Sequence, residues 1–467
     1  MSADAPEILQ SEPETAGTDL VGVSAAIVGR VREALANGKL DRVEEIAHEL
    51  HAADFADLLQ ELTPDERRLI IAVTRHIIDP ETLNHLDEAV REEVIDLMGP
   101  RELAQAVTEL ETDDAVEILE ELDDDAKRRI LEAMPAEERA GIEQGLTFPE
   151  DSAGRLMQRA LVALPQHWTV GETIDYLRAK DDLPDDFYDL FIVDPMHKPV
   201  GAVPLSRAIR NKRSVRLTDI METEFRVIPA TMDQESAAHI FRQYGIVSAP
   251  VVDDGGRLIG VITVDDVVHV IEEEAEEDLL GIVGVSETDF HAPAAHTAWR
   301  RVRWLVVTLF NSAIAATVIL QFQATIEQIV ALAVLMPIVA AMGGNAGVQV
   351  ITVTVRALAT RDLQPRGTAV WRLIGKELIV GAINGVVFAV IVGVAAALWF
   401  NSWSLGAVLA SAMIFNMIWA GLAGTLIPVT LARFEIDPAI GAGPFLTTTT
   451  DVLGFFSFLG LATLFLL

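Results

Sequence analysis

The chain of 467 residues contains no cysteine, which excludes disulfide bonds and thiolate metal sites. Basic residues are scarce too: 35 Lys and Arg face 70 Asp and Glu, for a formal charge of −35. The imbalance is uneven. From Thr297 onward there are nine basic and six acidic residues, so the upstream part carries about −38 and the remainder about +3. A soluble body that acidic will not bind nucleic acid unaided and should attract cations. The opening stretch, MSADAPEILQSEPETAG, lacks an apolar h-region and reads as a disordered acidic tail over 1–21, not a secretory signal. Nucleophile–base pairs, phosphate loops and metalloprotease motifs are also missing, so the expectation is a protein that is not an enzyme.

Residues 22–150 read as helices. In LDRVEEIAHEL and DDAVEILEELDDDAKRRILEAM apolar residues recur at three- and four-residue spacing, with charge on the opposite face. ADLLQELTPDERRLII, from Ala56, recurs loosely as VEILEELDDDAKRRIL, from Val116, which predicts stacked helical hairpins in a small superhelix. An ordinary helical domain fits the same pattern.

Over 151–278 short β-branched runs alternate with amphipathic helices. YDLFIVDPMHKPVGAVPLSRAI and GIVSAPVVDDGGRLIGVITVDDVV repeat strand, turn, strand and helix in one order. This duplication, with copies near 154–217 and 218–278, resembles a tandem pair of CBS domains, compact α/β modules that sense adenosine nucleotides. The resemblance implies a ribose-binding aspartate just after the second strand, a role that Thr263, Asp265 and Asp266 suit in copy two. Copy one has Arg207 near the matching place. The alternative is a pair that only dimerises and transmits motion.

After WRRVRW (299–304) hydropathy takes over. Five segments reach the roughly 18 to 20 residues needed to cross a bilayer, near 304–321, 328–357, 378–400, 405–432 and 444–467. Arg300, Arg301 and Arg303 precede the first. Arg356, Arg361, Arg366, Arg372 and Lys376 follow the second, and Arg433 follows the fourth, whereas QFQATIE and NSWS carry no basic residue. The positive-inside rule then predicts a cytosolic N-terminus and an outside C-terminus in the cytoplasmic membrane. An odd number of helices closes a pore most simply as a two-fold dimer.

The spans hold few polar groups. Pro337 interrupts the second, Asn345 and Gln349 share a helix face, and Gly343 with Gly347 forms a small-xxx-small pair that favours helix packing. Asn311, Asn384, Asn416 and the threonines at 447–450 are weaker signals, since threonine commonly bonds back to its own helix. Asp451 stands apart. It has no obvious basic partner at its depth, and intramembrane carboxylates mark ion or proton paths. The residues from 451 to 467 span about 24 Å, which puts Asp451 in the inner half or near the midplane. Two such carboxylates across a dimer axis repel unless a divalent ion lies between them, and Mg²⁺, which keeps its waters, suits the place.

The order of domains, with MPIVAAMGGNAGVQ and DPAIGAGPFLTTTTDVLGFF, closely resembles the MgtE family of magnesium channels. The resemblance implies a homodimer: a superhelical N domain, an α/β CBS pair, a connecting (plug) helix over 279–300, and an all-α membrane domain of five spans over 301–467. It implies that Asp451 holds hydrated Mg²⁺ in the pore, with Thr447 and Asn345 beside the path. Sensor positions carried over are Asp113 and Glu117 on the N domain, with Asp266 as partner, then Asp233, Glu235, Glu274, Glu277, Asp278 and Asp437. Gly443 replaces an asparagine found in some members, and His269 and Gly245 stand where aspartates occur. Mg²⁺ bridging these carboxylates would draw together domains that otherwise repel, and close the pore. Other readings remain open: a less selective transporter or exporter of Co²⁺, Mn²⁺ or Ni²⁺, a CBS-regulated anion channel, or a membrane-anchored nucleotide sensor.

Overall fold

The computed structural model describes residues 22–467 apart from 121, 181–182, 185, 286–293 and 435. The expected tail over 1–21 lies outside the described residues. The chain divides into two compact units, one reaching Val270 and the other starting at Ile271.

The first unit opens with nine helices among the described residues: α1 (Ala25–Ala36), α2 (Leu40–Glu49), α3 (Ala52–Glu61), α4 (Pro64–Thr74), α5 (Glu88–Leu97), α6 (Pro100–Glu109), α7 (Thr112–Glu120), α8 (Asp124–Ala133) and α9 (Ala136–Gly145). From Leu40 on, helices begin every twelve residues, with the 3₁₀ turn Pro80–Leu83 filling the one gap. Start signals keep this rhythm. Pro64 and Pro100 occupy first helical positions, and Thr63 with Glu66 forms a capping box. Helices pack on their next-but-one neighbours, α2 on α4, α6 on α8 and α7 on α9, around a core that includes Phe55, Leu59, Ile71 and Ile118. Arginine–glutamate pairs stitch the layers at the repeat spacing: Arg67 to Glu93, then Arg91 to Glu117. This is the expected superhelix.

The duplicated α/β region follows. β1 (Ala163–Pro165) runs parallel to β2 (Asp189–Val193), which pairs antiparallel with β3 (Pro199–Pro204). β4 (Ile228–Pro229), β5 (Ser248–Val252) and β6 (Leu258–Thr263) repeat that order and both senses. Helices α10 (Val170–Ala179), α11 (Leu205–Arg210) and α12 (Gln234–Tyr244) cover the sheets, and α13 (Val264–Val283) leaves β6. The duplication reaches single contacts. Gly201, opposite Ile192, and Gly260, opposite Val251, each admit a methionine sulfur, from Met221 and Met157, 2.6 Å from where a Cβ would lie.

The second unit holds the end of α13, then α14 (Ala294–Gln321), the short α15 (Gln323–Gln328), α16 (Ala331–Ala359), α17 (Ala369–Trp399), α18 (Trp403–Arg433) and α19 (Pro438–Leu466). Five of these helices are long and apolar enough to cross a membrane. The connecting helix expected over 279–300 includes residues outside the described set; its described ends belong to α13 and α14. The third span starts well before 378. Arg372 and Lys376 therefore lie in the first turns of α17, not in a loop, as long basic side chains at a membrane helix end can. α18 is the centre of the bundle and packs on α16, α17 and α19, while α14 rests on α19. Arg433 Nε donates to Pro365 O at 2.7 Å, joining the α16–α17 loop to the α18–α19 end.

Candidate functional site

Two helix starts converge in the first unit. Glu111 precedes α7, Asp113 lies in its first turn, and Asp266 lies in the first turn of α13. Single oxygens from these three carboxylates lie within 4.8 Å of one another. Each helix start attracts negative charge through its unpaired N–H groups, yet the carboxylates repel each other. Neutral hydrogen bonds soften this only partly. Asp266 accepts from the Thr263 hydroxyl at 2.7 Å, and the Gln158 amide donates to Glu111 and, at 3.3 Å, to Asp266. Asp113 is 7 % exposed, and its Oδ1 has no partner among the described residues.

The protonation equilibria record the crowding. Burial, and then the charge of Asp266, push Glu111 and Asp114 each up to about 7. Burial raises Asp266 to about 6 against the pull of Thr263. Burial and the Asp266 charge hold Asp113 well above the usual carboxylate range. A divalent cation would relieve every one of these strains. Oxygens on opposite sides of a Mg²⁺ ion lie about 4.2 Å apart, so direct and water-mediated contacts both fit the cluster.

Of the residues expected at this place, Asp113 and Asp266 meet, whereas Glu117 is turned to Arg91 at 2.8 Å. Glu111, Asp114 and Gln158 were not singled out by sequence; the acidic run ELETDDAVEIL was the available signal. His269 faces His85, their ring centroids 6.2 Å apart. Asp233 caps α12 by accepting from Ser236 N at 3.0 Å, with Glu235 in the same first turn. Gly245 closes that helix in the left-handed conformation at φ 61°. Glu274, Glu277 and Asp278 lie along α13, and Asp437 caps α19 through Ala439 N at 2.7 Å. In the CBS pair Asp265 is exposed, and Arg207 is committed to Glu222 and the Ile220 carbonyl.

In the second unit Asp451 is half-buried on α19 and has no hydrogen-bond or ion-pair partner among the described residues. The four preceding threonines bond back to their own helix, Thr447 to Gly443 O at 3.1 Å and Thr448 to Pro444 O at 2.7 Å. Asn311 adds a bond from α14 to Pro444 O at 3.3 Å. On α16 the two roles separate. Gly343 and Gly347 turn inward against Asn416 and Leu446, while Asn345 and Gln349 stay exposed. At Gly443 a Cβ would lie 2.8 Å from the Ile282 carbonyl, so main chain from α13 takes the space a side chain would need.

The family model for MgtE, a divalent cation transporter, matches residues 336–461. The MgtE intracellular N domain matches 50–151 and the CBS domain 217–273. The magnesium transporter MgtE of Thermus thermophilus is 31 % identical over 443 residues, covering 93 % of this chain and 98 % of that protein. That of Bacillus subtilis is 29 % identical over 441 residues, covering 94 % and 97 %. Among solved structures, the ATP complex of the cytosolic domain of the Mg²⁺ channel MgtE aligns with 52 % of this chain and 99 % of its own, at 29 % identity and a TM-score of 0.49. Aligned with its Thermus relative nearly from end to end, this multi-pass membrane chain belongs to the MgtE family of divalent cation transporters.

Proposed function

We propose that the chain forms a homodimeric Mg²⁺ channel of the cytoplasmic membrane, closed from inside by Mg²⁺ bound to its acidic domains. One observation carries the reading: a carboxylate, Asp451, in the middle of the last span with no hydrogen-bond or ion-pair partner among the described residues. Hydrated Mg²⁺ would meet it through water, as an ion that sheds water reluctantly does. Asn345 and Gln349, exposed on a membrane helix, need protein or water opposite them, which a second copy and its pore supply. Thr447, one turn before Asp451, would add a polar group to the wall. The Arg433–Pro365 bond gathers both basic connections at one end, in keeping with a cytosolic N-terminus.

For regulation, the cluster of Glu111, Asp113 and Asp266 would take Mg²⁺ between the superhelix and the CBS pair. α13 runs unbroken from Asp266 to Val283, and within the second unit its Ile282 carbonyl lies against Gly443 of α19, so this helix would carry the signal. Further ions are proposed at Asp233 and Glu235, at Glu274, Glu277 and Asp278, and at Asp437. Glu117 would hold Arg91 in place without touching the ion. An adenosine nucleotide is proposed at Asp265 and Thr263. Because Thr263 already donates to Asp266, nucleotide and metal would draw on adjoining groups.

Flux of Mg²⁺ into liposomes containing the full chain tests the pore. Asp451→Ala and Asp451→Asn are expected to abolish it. Undiminished flux in both ends the assignment.

A further inference from the structure

Asn416, on α18, is fully buried at 0 % exposure. Its Nδ2 donates to the Val339 carbonyl of α16 at 2.9 Å. Its Oδ1 has no partner among the described residues. Two glycines make room for the amide. A Cβ at Gly343 of α16 would lie 2.2 Å from Nδ2, and one at Gly454 of α19 would lie 2.8 Å from it. The amide thus fills a notch shared by three helices. On its own helix the buried neighbours are Ala412, Met413, Met417 and Ala420.

An amide is an expensive choice in such a place. A leucine fills a similar volume with no polar atom to desolvate, whereas this carbonyl is buried without a bond. What the amide provides is register. Its bond to one particular carbonyl sets the height of α18 against α16, and the glycine notch admits a flat group in one orientation. Buried polar residues that select one register at a cost in stability are known from helical assemblies. Gly454 lies one turn beyond Asp451, and Gly343 two residues before Asn345. The notch therefore lies within about one helical turn of both polar groups of the proposed ion path.

We propose that Asn416 is the positioning residue of the pore: it fixes the height and rotation of α19 against α16, and through them the carboxylate of Asp451. The proposal rests on the pore reading of Asp451. Asn416 itself touches no ion. Its effect is expected in selectivity as well as rate, because a wall group displaced by a fraction of an ångström changes which hydrated ion it matches.

The test measures Mg²⁺ and Mn²⁺ flux, per inserted protein, for the full chain in liposomes. Asn416→Leu is expected to lower Mg²⁺ flux about tenfold and Mn²⁺ flux much less, since misplacement of a functional group by about 1 Å commonly costs that much or more. Gly454→Ala should act in the same sense. Asn416→Ala, which removes the register bond, should shift the ratio in the same sense, alone and in the double variant with Gly454→Ala. If Asn416→Leu fails to insert, Gly454→Ala and the double variant carry the same measurement. A Mg²⁺/Mn²⁺ ratio that stays at the wild-type value overturns the proposal, whether total flux is kept or lost. Asp451→Asn runs alongside. Unchanged flux there removes the pore reading and this proposal with it, whereas abolished flux there with an unmoved ratio in the Asn416 and Gly454 variants removes this proposal alone.

Discussion

Asp113 and Asp266 open two different helices, α7 and α13, and bring carboxylate oxygens within 4.8 Å of each other. Without a cation, the folded cluster holds its protons more tightly than the unfolded chain does. Folded-state values of about 6 for Asp266 and about 7 for Glu111 and Asp114 lie above the ordinary carboxylate value near 4. Between about pH 4 and 7 the native state therefore binds more protons, so this cluster's contribution to stability falls as pH rises. Thermal unfolding of the soluble domains in chelator should move down between about pH 5 and pH 8, and excess Mg²⁺ should flatten the slope. A chelated profile that is flat or rising contradicts the cluster.

Asp113→Asn mimics the protonated acid permanently. In chelator near pH 8 it should raise the unfolding midpoint by about 2–4 °C, the shift that relief of about 1 kcal/mol of repulsion gives a domain of this size. The same variant should lose most of the gain that Mg²⁺ gives the wild type. Calorimetry with and without Mg²⁺ checks both halves. Asp266→Asn should behave alike, diminished by the weaker bond to Thr263.

Glu117 separates a ligand from a structural partner. It pairs with Arg91, which is 6 % exposed. Glu117→Gln should cost about 1–3 kcal/mol, the range for a lost hydrogen bond to a charged group. It should leave the Mg²⁺ concentration for half-protection from proteolysis within about a factor of two, a shift of only about 0.4 kcal/mol. A tenfold increase in that concentration would place Glu117 among the ligands.

How far the sequence was legible follows from these residues. The superhelix could be read because its helices carry apolar stripes at three- and four-residue spacing and one stretch of them repeats. Asp451 could be read because a carboxylate is so rare in a span. Glu117 and Asp113 look equivalent in TDDAVEIL, four residues apart on one helix. Which of them joins the carboxylate cluster and which faces Arg91 depends on how α5 stacks on its neighbours, and nothing local encodes that. Glu111 and Asp114 are lost in an acidic run for the same reason. Asn416 looks like a stray amide until Gly343 and Gly454, on two other helices, are seen to leave space for it. The start of α17 was misplaced because Arg372 and Lys376 resemble loop residues, although a membrane helix can carry them at its end.

Gly443 ties the end of α13 to the start of α19 within the second unit. Its missing side chain leaves room for the Ile282 carbonyl near the end of α13, and a methyl group there would lie 2.8 Å from that oxygen. Gly443→Ala must push the end of α13 away from α19, at a cost of about 1–3 kcal/mol if the strain stays local. That cost falls only on the arrangement in which the two are packed. If this packed arrangement is the closed one, the variant shifts the balance toward the open state, and about 1.4 kcal/mol of differential strain amounts to a tenfold shift. Mg²⁺ inhibition of flux should then need about tenfold more internal Mg²⁺, with the flux at low internal Mg²⁺ maintained. Flux measured against internal Mg²⁺ in loaded liposomes reads this directly. An inhibition curve identical to that of the wild type would mean that the contact between α13 and α19 does not take part in closing the pore.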